Sequence, residues 1–599
     1  MRRNRKNTDN FSSRTHGDRF SFPNHEDPQD GMGDLHMSFP LDEAYDPQDG
    51  GYDEVNGDHY DSYEYEDYDN DGYDDGFYED RMRGHRQSGE SKVAPKGGKL
   101  SRKEKKRLGM KDQERVKSES GGGRRSEKKN RNKEILVVMY SFIFLFLATI
   151  GYFVYFDAVQ SKDIITHPGN IHIAKLQDHT LRGRILASDG SELARTDVGA
   201  DGKETRVYPY GNAFAHVVGT SKINKSGLEA SYESQMLLSN DNPLRKIVND
   251  LKNEKNKGDD VVTTLDLSLQ QVAYNALGNN QGVVLAIEPS TGKILAMVSK
   301  PDYDPNTLAE NYNDIISDEN NKCLLNQATL GLFTPGSIFK IFTTLEYMRE
   351  HPDYSAYSYI CNGSIYLDGG SGVTQMLACY HQTVHGTQDL AASFANSCNA
   401  SFAHMGTLLN RTSFNQLCDQ MLFNQKLPTS IPHYQSSFHL NSDDSDWMVG
   451  ATAIGQGNTT MTPLHAAIIV SAIANDGVVM EPYLVDRIQN YSGNTVEKYM
   501  PKTYGSIMSS SEAEILTDMM EDVVTSGTAT SLSGMGYAIA GKTGTAEVDN
   551  YGNNAWFVGF APADDPEIAV CVLVENASSS SSYAAVPIAS QLFSAYVGR

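Results

Sequence analysis

Read for the spacing of its apolar positions, the chain falls into three stretches. Up to about residue 133 aliphatic residues are scarce, and no period runs long enough to predict a helix or a strand. Ile135 to Phe156 is then an uninterrupted run of 22 apolar or weakly polar residues. At 1.5 Å per residue a helix of that length spans about 33 Å, enough for a bilayer core. After it the pattern is that of folded domains. Gly282-Val-Val-Leu-Ala-Ile287 and Ile294-Leu-Ala-Met-Val298, joined by Pro289-Ser-Thr-Gly292, predict two strands and a turn. Pro335 and Gly336 break the chain ahead of Ile338, Phe339, Phe342 and Leu345, whose spacing predicts a helix. Asp389 to Met405 reads as a helix, a short loop and a second helix, rich in small and aromatic residues. Gly536 to Val548, Ala555-Trp-Phe-Val-Gly-Phe-Ala561 and Glu567-Ile-Ala-Val-Cys-Val-Leu-Val574 predict three further strands. A last helix over Ala584–Tyr596 should pack on them.

Charge sharpens the first stretch. Gly51 to Asp80 carries 13 acidic and no basic residues, with seven tyrosines interleaved, whereas Arg81 to Lys133 carries 20 basic and 6 acidic residues. Such a segment buries no core, so residues 1–133 are expected to be a disordered tail. A nucleic-acid role suits the basic block poorly, because it abuts a membrane-length run, where anionic lipid is the fitting counter-charge. The flank Lys128-Lys-Asn-Arg-Asn-Lys133 predicts a cytoplasmic N-terminal side and a chain that continues outside the cell. The apolar run lacks a small-residue cleavage pattern and reads as an anchor retained in the protein. The tail holds only −3 of the chain's net −25, leaving −22 on the exported part, which again argues against nucleic acid.

Candidate chemistry lies in three short motifs, Ser337-Ile-Phe-Lys340, Ser397-Cys-Asn399 and Lys542-Thr-Gly-Thr545. A serine hydroxyl is a poor nucleophile until a base takes its proton, and a lysine three residues on, one helical turn away, is placed to do so if its pKa is lowered. Burial and a second cation lower it. Lys542 supplies that cation and a charge for a substrate carboxylate. The hydroxyl of Ser397 is placed to relay a proton, and the Asn399 amide to bind a peptide group. Gly541 and Gly544 clear room for a close neighbour in a strand. Each motif alone is weak: Ser-x-x-Lys recurs at Ser126/Lys129 and Ser290/Lys293, and Ser-x-Asn at Ser492/Asn494. Those copies lie in a basic tail and in turns, and none opens a helix. Cys361 and Cys379 flank a glycine-rich stretch that predicts a hairpin; a disulfide and a reduced pair are both compatible with the sequence. No histidine and cysteine cluster has zinc spacing, so neither metal nor cofactor is expected.

The motifs and their surroundings resemble class B penicillin-binding proteins. The segments that carry the likeness are Thr334-Pro-Gly-Ser-Ile-Phe-Lys340, His385-Gly-Thr387 with Ser397-Cys-Asn399, Ile454-Gly-Gln-Gly457 ahead of Thr462-Pro-Leu464, Gly541-Lys-Thr-Gly-Thr-Ala546 and Trp556-Phe-Val-Gly-Phe-Ala-Pro562. Upstream, Arg182-Gly-Arg-Ile-Leu-Ala-Ser-Asp-Gly-Ser-Glu-Leu-Ala194 and Gly227-Leu-Glu-Ala-Ser-Tyr-Glu233 are similar to that family's membrane-proximal domain. The resemblance implies an α+β fold, with an antiparallel five-stranded sheet flanked by helices. It divides the chain into the tail (1–133), one transmembrane helix (134–156), a small pedestal (157–257) and a transpeptidase domain (258–599). About 100 residues between anchor and catalytic domain are too few for a glycan-polymerising domain.

The implied reaction is peptidoglycan D,D-transpeptidation. Ser337 would attack the penultimate D-Ala carbonyl of a stem peptide and hold the acyl group until a second strand's amine takes it. Lys340 would be the base, Ser397 the proton relay with Lys542 beside it, and Asn399, Thr543, Gly544 and Thr545 the substrate contacts, with the backbone N–H groups of Ser337 and Thr545 as oxyanion hole. β-Lactams would acylate the same serine. The implied partners are stem peptides, membrane lipid and a SEDS-family glycan polymerase. A D,D-carboxypeptidase, a β-lactamase and a β-lactam sensor or scaffold share the acylation site; no deacylating base is evident for the β-lactamase.

Overall fold

The apolar run folds as the body of one helix, α1 (Glu127–Tyr155), in the computed structural model, which describes residues 127–156, 172–548 and 552–598. Its 23 residues Lys133–Tyr155 are long and apolar enough to cross a membrane, and their large side chains, Phe144 and Leu147 among them, stand exposed. The end of the expected tail, residues 127–133, belongs to this helix; the rest of the tail lies outside the described residues.

A five-stranded sheet holds the core. Its strands are β1 (Gly282–Ile287), β2 (Ile294–Lys300), β3 (Ala540–Val548), β4 (Gly552–Ala561) and β5 (Ile568–Ala577). They run in the order β3-β4-β5-β1-β2, antiparallel at every step, as the resemblance implies. All of β1 and the first seven residues of β5 are buried whichever way their side chains point, so both faces of the sheet are covered. This explains why these strands read as continuous apolar runs without alternation. Helices α2 (Leu267–Leu277), α3 (Lys340–Glu350), α4 (Leu390–Ala395), α5 (Asn399–Leu408), α6 (Pro463–Ile473) and α7 (Val586–Tyr596) supply the cover and the site. Every residue of α6 is buried over β5, β1 and β4, while α2 and α7 pack on each other and on the sheet.

The membrane-proximal region builds on a second sheet of six strands. Ile185–Leu186, Glu192–Val198 and Glu204–Val207 lie in sequence order at one side, and Asp260–Thr263, Val485–Gln489 and Thr495–Lys498 complete the other. Strands from far along the chain thus finish a sheet begun near residue 185. Beside it the buried carboxylate of Glu229 lies 2.7 Å from both Arg182 and Arg206. Two of the decoy motifs fall where the pattern put them, and the third does not: Lys129, expected in an unstructured tail away from any helix start, lies in the first turn of α1. Ser290–Lys293 forms the β1–β2 turn and Ser492–Asn494 joins the last two strands of the second sheet.

Candidate active site

Ser337 lies in a single 3-10 turn, Gly336–Phe339, that runs directly into α3, so the expected helix start is present with a tighter first turn. The turn is pinned from three sides. Trp556 of β4 donates its indole N–H to the Thr334 carbonyl at 3.1 Å, and the Gly336 amide donates to the Gly455 carbonyl at 2.9 Å. Gly336 has φ +55°, and a Cβ there would come within 3.0 Å of the Thr545 backbone. A side chain at Gly544 would likewise meet Ile338 at 2.9 Å, so strand β3 and the Ser337 turn touch backbone to backbone.

The second motif occupies the bend between α4 and α5. Ser397 has φ +52°, a left-handed conformation that costs a non-glycine residue free energy and is concentrated at functional sites. That bend turns the Ser397 hydroxyl between two fully buried amines, Lys340 Nζ at 3.3 Å and Lys542 Nζ at 2.9 Å. Lys340 also donates to the Ser397 carbonyl and to Asn399 Oδ1, both at 2.8 Å. Its amine thus hydrogen-bonds to the second motif, with no bond to Ser337 in this state. Asn399 passes the chain on, its Nδ2 donating to the Ala378 carbonyl at 2.9 Å. Burial brings Lys340 down to about 8. Lys542 is held well below the ordinary lysine value, first by burial and then by the charge of Lys340.

On β3, Lys542 sits over the Phe394 ring at 5.5 Å and donates to the Thr543 carbonyl at 3.0 Å. The two threonines are held by residues the motifs did not reveal. Thr543 Oγ1 lies 2.6 Å from Thr528 Oγ1, and Thr545 Oγ1 lies 2.6 Å from Ser581 Oγ, which also donates to the Gly544 carbonyl. Ser581 belongs to the run Ser578–Ser582 just before the last helices, a polar string after an apolar strand that could have marked it. Thr528 carried no such signal. A cleft of about 1020 Å³ opens over the group; Ser337, Ser397, Asn399, Thr543 and Thr545 line it, joined by Trp447, Gln456 and Glu547. Lys340 and Lys542 are themselves fully buried, which keeps water from their amines.

One side-chain cluster was not legible in the sequence. The sequence showed no cluster with zinc spacing, yet the fold gathers Cys361, Cys379, His385 and Cys398, with their ligand atoms all within 4.8 Å of one another. The three thiols are free, and Cys361 and Cys379 lie 3.7 Å apart without a bond. Four separate segments supply them, which is why no local spacing revealed the group.

A family model for the penicillin binding protein transpeptidase domain matches residues 282–594, and one for the penicillin binding protein A dimerisation domain matches residues 182–261. The chain is 34% identical to the peptidoglycan D,D-transpeptidase PbpA of Mycolicibacterium smegmatis over 427 residues, 66% of this chain and 84% of that one. The structure of penicillin-binding protein A from M. tuberculosis as a ceftriaxone acyl-enzyme superposes with a TM-score of 0.64 at 28% identity, covering 70% of this chain and 100% of that one. The D,D-transpeptidase domain of a peptidoglycan glycosyltransferase from Eggerthella lenta gives 0.62 at 29% identity, covering 70% and 99%.

Proposed function

The chain belongs to the penicillin-binding protein transpeptidase family, and from that premise we propose how its residues carry out peptidoglycan D,D-transpeptidation. The observation that carries the reading is the Ser397 hydroxyl set between two buried, pKa-lowered amines at the foot of a cleft that Ser337 lines. Neutral Lys340 takes the proton as Ser337 Oγ attacks the penultimate D-Ala carbonyl. The backbone N–H groups of Ser337 and Thr545 face the developing oxyanion, a role worth roughly 3 kcal/mol per donor. Ser397 then gives its hydroxyl proton to the departing D-Ala amine and takes in its place the proton that Lys340 had removed from Ser337, while Lys542 holds the Ser397 hydroxyl in position. Thr543 and Thr545, steadied by Thr528 and Ser581, receive the terminal carboxylate with their hydroxyls. Asn399 ties Lys340 to the end of the strand Thr374–Ala378, and its carbonyl oxygen keeps a second lone pair for a substrate N–H. A second strand's amine then takes the acyl group from Ser337. A β-lactam acylates Ser337 in the same way.

The division at residues 133, 156 and 257 goes with this reading, as does an outward-facing catalytic domain. The basic flank of α1 supports that orientation by its charge and also suits anionic lipid; an adjoining SEDS-family polymerase goes with the family membership. Protease protection of the tail in sealed vesicles, and recovery of a polymerase with the full chain in detergent, test these two points separately; a tail cut from outside, or a chain recovered alone, overturns them.

The acylation itself is tested with a fluorescent penicillin on the purified chain, mapped by mass spectrometry beside Ser337→Ala. A stable adduct on Ser337, absent in the variant, is expected. An unlabelled folded chain, or rapid turnover of the penicillin, would favour a scaffold or a β-lactamase. Transfer of the acyl group to an added amine, in preference to water, separates the transpeptidase from a carboxypeptidase.

A further inference from the structure

We infer that the helix Pro243–Lys252 docks its outer face on an anionic lipid surface, giving the membrane-proximal region a second hold on the bilayer besides α1. Leu244, Ile247, Val248 and Leu251 recur at the spacing of one helical face. Such a face is ordinarily turned to a core, yet these four side chains are 71%, 55%, 45% and 82% exposed. The side turned to the protein is the polar one. Lys246 donates to the Ser239 carbonyl, and Asn249 Nδ2 donates to Asn256 Oδ1 at 3.0 Å. Burial of its apolar stripe therefore does not hold this helix on the domain, and among the described residues the stripe stays uncovered. A contiguous apolar face of this kind marks a surface that meets a partner or a membrane.

Charge decides between them. The exported part carries net −22, but residues 243–257 hold five basic and two acidic residues. Arg245 and Lys252 stand exposed along one flank of the stripe. Salt screens charges beyond about 8 Å, so an approaching membrane meets this local reversal and not the negative total. The neighbouring turn adds an aromatic ring. Arg245 donates to Ser492 Oγ at 3.2 Å, and the exposed Tyr491 ring lies 3.7 Å from Lys257 Nζ and 4.9 Å from the Arg184 guanidinium. A tyrosine among basic residues suits the headgroup layer of an anionic bilayer. The stripe itself is wholly aliphatic and lacks the aromatic anchor that centres most protein interfaces. A lipid surface asks for no such anchor.

Placement agrees with this. Asn256–Lys257, just after the helix, pair in parallel with Thr180–Leu181, which come about 25 residues after the end of α1. The helix thus belongs to the part of the domain that the chain reaches first from its anchor. With α1 in the bilayer the contact is intramolecular, so a helix about 15 Å long needs only modest affinity to stay bound. Bound, it lies in the plane of the interface with its stripe at the edge of the acyl chains. Two holds fix a tilt of the membrane-proximal region that one cannot.

The test uses the full chain, one copy per lipid nanodisc, in brominated phosphatidylcholine alone or mixed with brominated phosphatidylglycerol. Leu251→Trp supplies a reporter, and the emission of Trp447 and Trp556 is subtracted with the parent chain. In the anionic discs the added indole should emit further to the blue and be quenched, more strongly than in phosphatidylcholine alone. Arg245→Gln with Lys252→Gln, or Leu244→Ser with Ile247→Ser, should restore most of its emission; all four positions are exposed, so folding is spared. On the parent chain, amide hydrogen exchange over 243–252 should be roughly tenfold slower in anionic than in neutral discs. A reporter unquenched in both lipids, with exchange unchanged, overturns the inference. Equal quenching in both overturns the choice of an anionic surface. Slowing that requires a second protein or a second copy in the disc gives the stripe to a protein partner and also overturns it. The inference rests on α1 as the anchor. A chain that washes out of the discs removes the anchor, whereas a retained chain with an unquenched reporter removes the docking helix alone.

Discussion

A lysine serves as a base only in the fraction that is neutral, and burial without a carboxylate partner gives Lys340 that fraction near neutral pH. The sign follows directly. Below its pKa of about 8 the amine is protonated and cannot take the Ser337 proton, so acylation should climb as pH rises from 6 and level off above 8. A rate of penicillin acylation that is flat across this range would remove Lys340 from the base role. Lys340→Arg keeps the charge and most of the volume, but a guanidinium cannot deprotonate. It should slow acylation by roughly 10³-fold, within the range of a lost general base. The motif spacing identified Lys340 and Lys542 from the sequence. That their amines meet at one hydroxyl, and that Lys340 bonds to Ser397 and Asn399 ahead of Ser337, required the fold.

Between elements, the decisive contact is β3 against the Ser337 turn. Gly544→Ala should press its methyl on Ile338 and on the Pro335 carbonyl, both at about 3 Å. Overpacking of that kind costs about 1–3 kcal/mol. Thermal unfolding should therefore occur at a lower temperature, and acylation should slow because the strand that carries Lys542 and Thr545 moves off. Ser581→Ala tests the same strand from the other side. It leaves the buried Gly544 carbonyl without its donor, at about 1–3 kcal/mol. A variant as stable as the parent would show that the serine run is not what fixes Gly544 and Thr545. The glycines of this strand were legible as a close-approach signal, whereas the partner on the far side was not, since 36 residues separate Thr545 from Ser581.

Across the whole molecule, the second sheet binds the membrane-proximal region to the catalytic part. Asp260–Thr263 lies between Ile185–Leu186 and Val485–Gln489, so a chain begun at residue 264 would bare one edge of Val485–Gln489. Such an edge invites association. Size-exclusion chromatography of that truncated chain should show aggregates, and a well-behaved monomer would mean the two regions are separable. Glu229 is the matching test within the membrane-proximal region. Glu229→Ala leaves the buried Arg206 and Arg182 without their counter-charge, and the loss should be about 3–5 kcal/mol in denaturant unfolding.

The sequence by itself determined the membrane-length helix, the strands of the central sheet, the helix that follows Ser337 and the three motifs, because each is written in neighbouring residues through apolar period, turn chemistry or short spacing. Its reading of the cysteines went only as far as a hairpin between Cys361 and Cys379. Tertiary structure alone decided which distant groups meet: two lysines at Ser397, Ser581 under Gly544, residues 485–498 in a sheet begun at 185, and three thiols with one imidazole beside the active-site bend. Those encounters depend on how sheets and helices pack, and no local period records that.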